Sequence, residues 1–316
     1  MKESRYGYAV ARTRSLENSL LEKNKLEKLL AAPSLEEALA QLADTVYADA
    51  VAKLDRPEDF ERALTEKLIE EYQYMAELGM AGELVTLRWR YDLVNLKLAI
   101  RARLSGEEPR GFSPLGTIPP EQLMNLESLP APWGEAPLEG ERDPQKLDFI
   151  LDKTFYRAAL ENSADPYLKG WWQLEVDLRN LGTFLRLSAL GIKDRSLWDE
   201  ARIPGGELEE IFAELSPPDL EALKTSLSMT KFAGLAEEGV RSLEAVGSLG
   251  NFERLADNMQ VEYFSSAKYI PFGPEPLIAY ILGRENEVKI LRIILAGKAN
   301  NLSREEIRER LREVYG

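Results

Sequence analysis

The stretch YDLVNLKLAIRARL, residues 91–104, returns as VDLRNLGTFLRLSAL at residues 176–190. Both contain Asp-Leu-x-Asn-Leu, with Asp92 and Asn95 in the first and Asp177 and Asn180 in the second. Both then place an apolar residue and an arginine at the same spacing, Ile100-Arg101 and Leu185-Arg186. Further on, Ile118-Pro119 matches Ile203-Pro204 and Leu123 matches Leu208, all at one unbroken offset of 85 residues. A third, weaker copy is NEVKILRIIL, residues 286–295. There Glu287 stands in the place of the aspartate and Leu291 and Leu295 take the apolar positions, but Ile290 replaces the asparagine.

A second pattern supports the repeat. The segment from Lys25, KLEKLLAAPSLEEALAQLADTVYA, resembles the segment from Glu207, ELEEIFAELSPPDLEALKTSLSMTKFA. After a three-residue insertion, Leu42, Thr45 and Tyr47 align with Leu227, Thr230 and Phe232, and Phe60-Glu61-Arg62 echoes Phe252-Glu253-Arg254. The expectation is three unequal copies of one helical unit: residues 1–118 with an N-terminal helix, 119–203 with a proline-rich entry, and 204–316 with a C-terminal helix. Such units exceed the ~30–50-residue repeat of a solenoid, so a closed or funnel-like arrangement with approximate threefold symmetry is an equally natural outcome.

The local signals are helical throughout, and the predicted class is all-α. Leucines 16, 20, 21, 26, 29 and 30 recur at helical spacing. Ser34 with Glu37 and Ser303 with Glu306 are capping-box signatures before apolar runs. Prolines crowd between Gly106 and Pro144, which predicts loop and short helix there and an internal boundary.

Composition narrows the chemistry. The 316 residues include 54 acidic and 40 basic ones, a formal net charge of −14, with 44% hydrophobic residues to build a core. An acidic chain is repelled by nucleic-acid phosphates and anionic membrane surfaces. Cysteine and histidine are both absent, which removes disulfides, thiolate nucleophiles, imidazole acid–base chemistry and Cys/His metal sites. The opening MKESRYGYAVARTR has no apolar signal core, and no apolar run approaches the ~20 residues of a membrane-spanning helix. Gly205-Gly206 and Gly297-Lys298 lack the remaining residues of a phosphate-binding loop, so no cofactor is expected.

On a helix, Asp92 and Asn95 share a face, as do Asp177 and Asn180. One reading is a polar face presented three times around a cavity. The other is that each pair bonds neighbouring backbone or an arginine and fixes how one helix docks on the next. Arg12 and Arg14, with Arg88, Arg90, Arg101 and Arg103, are dense basic clusters that either pair internally or meet an acidic partner. Trp171-Trp172 offers an interface anchor, although adjacent helical residues point apart and at least one belongs in a core. The pairs Glu36-Glu37, Glu70-Glu71, Glu107-Glu108 and Glu237-Glu238 read as solvated faces. The candidates for partner contact or inter-repeat packing are Arg12, Arg90, Asp92, Asn95, Arg101, Glu175, Asp177, Asn180, Arg186, Arg284 and Glu287.

In order and combination, these features resemble the C subunit of the bacterial and archaeal V/A-type rotary ATPases, the relative of the d subunit of eukaryotic V-ATPases. The resemblance rests on Tyr8-Ala9-Val10-Ala11-Arg12 leading to Leu20-Leu21, on Leu42-Ala43-Asp44-Thr45-Val46-Tyr47, and on the two Asp/Asn helices. It implies a funnel of three similar helical subdomains that catalyses nothing itself. Its partners would be the central shaft subunits, seated in the funnel, and the membrane proteolipid ring beneath it. The chain would lie on the cytoplasmic side, peripheral to the membrane, and serve proton or sodium transport coupled to ATP. The acid excess would then attract a basic shaft end. A helical scaffold or adaptor unrelated to rotary ATPases also accounts for acidic repeats, but not for the order of the motifs.

Overall fold

The computed structural model describes residues 2–138 and 140–315, with side chains from Tyr6 onward. Among these residues the regular elements are all helical. In order they are α1 (Lys2–Glu17), α2 (Lys23–Ala31), α3 (Leu35–Ala40), α4 (Ala48–Ala52), α5 (Phe60–Met75) and α6 (Ala81–Ser105). After the proline-rich stretch, with its short α7 (Pro120–Leu123), come α8 (Pro144–Asn162), α9 (Pro166–Ala189), α10 (Arg195–Ala201) and α11 (Glu209–Glu214). The chain continues with α12 (Leu220–Leu227), α13 (Ala233–Val246), α14 (Gly250–Ser265), α15 (Glu275–Ala299) and α16 (Arg304–Glu309).

Three of these helices, α6, α9 and α15, are 25, 24 and 25 residues long, and each carries one copy of the repeated acid near its middle. Each follows a shorter helix, α5, α8 or α14. Local chemistry sets the boundaries. Asp143 and Asp165 cap α8 and α9 by accepting from backbone amides of the first turn, and Pro144 and Pro166 follow at the position where proline forfeits no helical hydrogen bond. Between α5 and α6, Gly79 at φ +92° breaks the run, a conformation that disfavours any residue with a Cβ. Ser303 and Glu306 form both halves of a capping box at α16, and Ser34 Oγ accepts from Glu37 N at α3.

Contacts divide the chain into two compact units, residues 1–84 with 257–316, and residues 85–256. In the first unit α15 packs against α1, α3 and α5 and is buried nearly all round, as its largely apolar sequence requires. In the second, α9 packs against α8 and α13 and carries Trp171, Trp172, Leu181, Phe184 and Leu185 into the core. The repeated apolar positions behave alike: Leu96, Leu181, Leu291, Leu185 and Leu295 are each fully buried, and Ile100 nearly so. The proline-rich stretch is loop and single turns, and it lies inside the second unit, burying Leu115, Ile118, Leu123 and Trp133.

The leucine spacing of residues 16–30 predicts one helical run, but the backbone leaves the helix at residues 18–22. Leu20 and Leu21 are buried there as a loop. Their hydrophobicity serves to cover α15 through a turn, which periodicity alone does not distinguish from a helix.

Candidate functional site

The repeated Asp/Asn pairs are clasps that hold loops. On α6, the Asp92 carboxylate accepts from Thr117 N (2.7 Å), Thr117 Oγ1 (2.6 Å) and Ile118 N (3.0 Å). One turn on, Asn95 donates from Nδ2 to Ser113 O (2.9 Å) and accepts from Ser113 N at Oδ1 (2.7 Å). Arg88 fastens the same loop by donating to Leu115 O and Gly116 O. On α9, Asp177 accepts from Glu207 N (2.9 Å) and Leu208 N (3.1 Å), while Asn180 exchanges both bonds with Ile203 (2.7 and 2.8 Å). All four side chains are 0–1% exposed. The aspartates thus satisfy loop amides and the asparagines both an amide and a carbonyl, and those of the buried residues Ile118, Ile203 and Leu208 would otherwise lack a partner.

The loops do not keep the helices' offset. The clasped amides lie 25 and 26 residues after Asp92 but 30 and 31 after Asp177. Ile118 therefore corresponds in space to Leu208, and the sequence match of Ile118-Pro119 with Ile203-Pro204 is not a structural equivalence. Glycine marks the true register. A Cβ on Gly116 would sit 2.4 Å from Asp92 Oδ1, and one on Gly206 would sit 2.0 Å from Asp177 Oδ1. Both glycines precede the first clasped amide, because a carboxylate on so short a side chain reaches the backbone only if the chain lies against it.

The third copy is built differently. Glu287 on α15 accepts from Leu21 N and, at 2.6 Å, from the Tyr47 hydroxyl. Its loop comes from the N-terminal part of the chain, and the preceding residue is Leu20, not glycine. The extra methylene of glutamate lets the backbone stand further away. Ile290, in the asparagine's place, is fully buried.

Around Glu287 lies a buried ion cluster. Arg284, fully buried, bonds Glu287 and donates to Ser19 Oγ (2.8 Å) and the Tyr280 hydroxyl (3.1 Å). Its Nε is 3.6 Å from Glu71, which accepts from Tyr280 (2.9 Å) and pairs with Lys67 (3.1 Å). Two carboxylates thus face two cations. Burial opposes the Arg284 charge, but Glu287, Tyr47, Tyr280 and Glu71 outweigh it and raise its pKa. Burial, reinforced by Glu287, holds the Tyr47 phenol well above its usual range. Glu71, read from sequence as part of a solvated pair, is inside because neighbouring helical residues point to different sides: Glu70 faces water and Glu71 faces Arg284.

The two aspartates are electrostatically distinct. Burial raises the Asp92 pKa, opposed by its bonds from Thr117 and Ile118 and by Arg88. Burial pushes Asp177 up to about 6, against the pull of the Leu208 and Glu207 amides, with the Glu207 carboxylate adding to the rise.

The remaining candidates are dispersed. Arg12 donates to the Tyr74 hydroxyl (3.0 Å), and Glu175 accepts from that of Tyr156 (3.4 Å). Arg90 stacks on buried Trp171 and Trp172, its guanidinium 5.0 and 5.7 Å from their rings. Arg101 on α6 pairs with Asp148 on α8, and Arg186 on α9 pairs with Glu253 on α14. Arg292 on α15 pairs with Glu61 on α5, so each long helix reaches one of the shorter helices that precede the long ones. The Thr45 and Thr230 turns also match: each hydroxyl donates to the carbonyl three residues back (2.7 and 2.8 Å) and accepts the amide two ahead (3.2 Å in both). Among the described residues no cluster of three or more acidic side chains is placed to hold a metal, and no helix is long and apolar enough to cross a membrane.

A family model described as "ATP synthase (C/AC39) subunit" matches residues 9–310. The C subunit of the A-type ATP synthase of Methanocaldococcus jannaschii is 28% identical over 97% of this chain and 86% of its own length. The C subunit of the V-type sodium ATPase of Enterococcus hirae is 24% identical over 96% of each chain. That of the A-type ATP synthase of Thermococcus gammatolerans is 24% identical over 98% of this chain and 90% of its own. With its family model spanning nearly the whole chain, this all-helical protein belongs to the ATP synthase C/AC39 family.

Proposed function

We propose that the chain is a non-catalytic rotor connector of a V/A-type ATPase. In this reading three similar helical subdomains, residues 1–118, 119–203 and 204–316, surround a pseudo-threefold axis. They take the end of the central shaft on one side and rest on the membrane proteolipid ring on the other, passing torque for proton or sodium transport. The observation that carries it is the thrice-repeated long helix, each pinned to a loop by a buried carboxylate. A torque coupler needs parts that do not shear, and satisfied buried polar bonds supply that stiffness while specifying one packing. The candidate arginines and acids serve internal pairing in this reading, and exposed surface meets the partners. A pull-down with purified shaft proteins and with the detergent-solubilised ring tests it: retention by both supports the connector, and binding to neither removes it.

A further inference from the structure

After α16, residues 311–315 are non-helical and lie along α14 and α15 of the first unit. Side chains read the backbone of this segment: Glu313 N donates to Asn258 Oδ1 (3.0 Å), and Glu313 O accepts from Asn286 Nδ2 (2.9 Å). Arg312 pairs with Asp257 (2.6 Å), which also holds Lys289 (2.7 Å). Tyr315, 3% exposed, lays its ring on Gly283, where an added Cβ would stand 2.8 Å away, and against Phe264 at 5.5 Å between centroids. The Lys268 ammonium is 4.7 Å from that ring, and the Tyr315 hydroxyl donates to Glu17 at the end of α1 (2.9 Å). Val314 and Tyr315 also line a water-sized cavity with Leu20, Leu21 and Glu287. The segment therefore covers the loop that Glu287 clasps.

A bound extended peptide has this anatomy: backbone captured at one residue, one charge pair, and one aromatic ring in a fitted seat. We propose that α14, α15 and the end of α1 form a recognition groove for an extended Arg-x-x-Tyr peptide, and that residues 311–315 fill it as a removable strap holding the Ser19–Leu21 loop in place. This assignment stands independently of the rotor reading.

Two measurements test it. In the full chain, Gly283→Ala removes the ring's seat while improving the helix itself, since alanine is the better helix former. Hydrogen exchange should then rise at least tenfold at the amides of Leu21 and Glu313 and stay unchanged in residues 85–256. Unchanged protection at Leu21 would overturn the strap. In a chain lacking residues 310–316, a labelled peptide RLREVYG should bind saturably. Changing its tyrosine to alanine, or Gly283→Ala in the protein, should weaken binding at least tenfold. Absence of saturable binding to the folded shortened chain would overturn the groove, and if that chain does not fold the exchange result decides alone.

Discussion

The clasps of α6 and α9 differ from that of α15 in a way that shows how one sequence position can be rebuilt. In the second unit an aspartate, an asparagine one turn on and a glycine in the loop act together: the short acid demands close backbone, and the glycine permits it. In the first unit a longer acid reaches a loop containing Leu20, an isoleucine replaces the asparagine, and Arg284 with Tyr47 takes up the remaining lone pairs. One arrangement is neutral hydrogen bonding around a single buried carboxylate. The other is an ion cluster. The first is sensitive to volume at the loop, the second to charge balance.

The largest effect is expected from Arg284→Met, which leaves Glu287 and Glu71 buried with only Lys67 as nearby cation. Removing one partner of a buried ion pair costs about 3–5 kcal/mol. Urea unfolding should show that loss, and Arg284→Met with Glu287→Gln should recover part of it. A loss below ~1 kcal/mol would mean the cluster is not charge-limited.

Gly206→Ala comes next, at about 1–3 kcal/mol, the range for forcing extra volume into a packed site. The same change in an Asp177→Ala background should cost much less, and an additive pair would break the proposed dependence of glycine on the short acid. Asn180→Ala should lose ~1–3 kcal/mol by orphaning both backbone groups of Ile203. Ile290→Asn should also destabilise, because it puts a polar amide in place of a fully buried apolar side chain. If Ile290→Asn were stabilising, the two arrangements would be interchangeable after all.

The smallest effect is a pH slope. Folded Asp177 keeps its proton up to about pH 6, whereas an unfolded aspartate releases it near ~4. Between those values the folded state binds more protons. This contribution to stability is therefore full below about pH 4 and is lost as pH rises through 6. Between pH 5 and 7 the change should be about 1 kcal/mol, and Asp177→Asn should remove that part of the slope. Comparing chemical unfolding of the two proteins at both pH values measures it.

Much of this was legible in the residues and some was not, for identifiable reasons. The Asp/Asn spacing places both side chains on one helical face, and the Thr45 and Thr230 turns repeat down to their hydrogen bonds. The loop register misleads because Ile118-Pro119 and Ile203-Pro204 match by letter while the clasped amides are displaced by five residues. Gly116 and Gly206, ninety residues apart, hold the correct register, and only the close approach to the carboxylates shows why. Partners such as Tyr47 and Glu287, 240 residues apart, leave no local trace. Glu71 reads as surface charge until the buried arginine opposite it is placed.

The connector claim is tested most directly by reconstituting the rotary complex in vesicles with and without this chain, and measuring ATP hydrolysis and ion uptake together. Hydrolysis should persist without the chain, ATP-driven ion uptake should be absent, and adding the chain should restore it. Full ATP-driven ion uptake without the chain would contradict the connector claim.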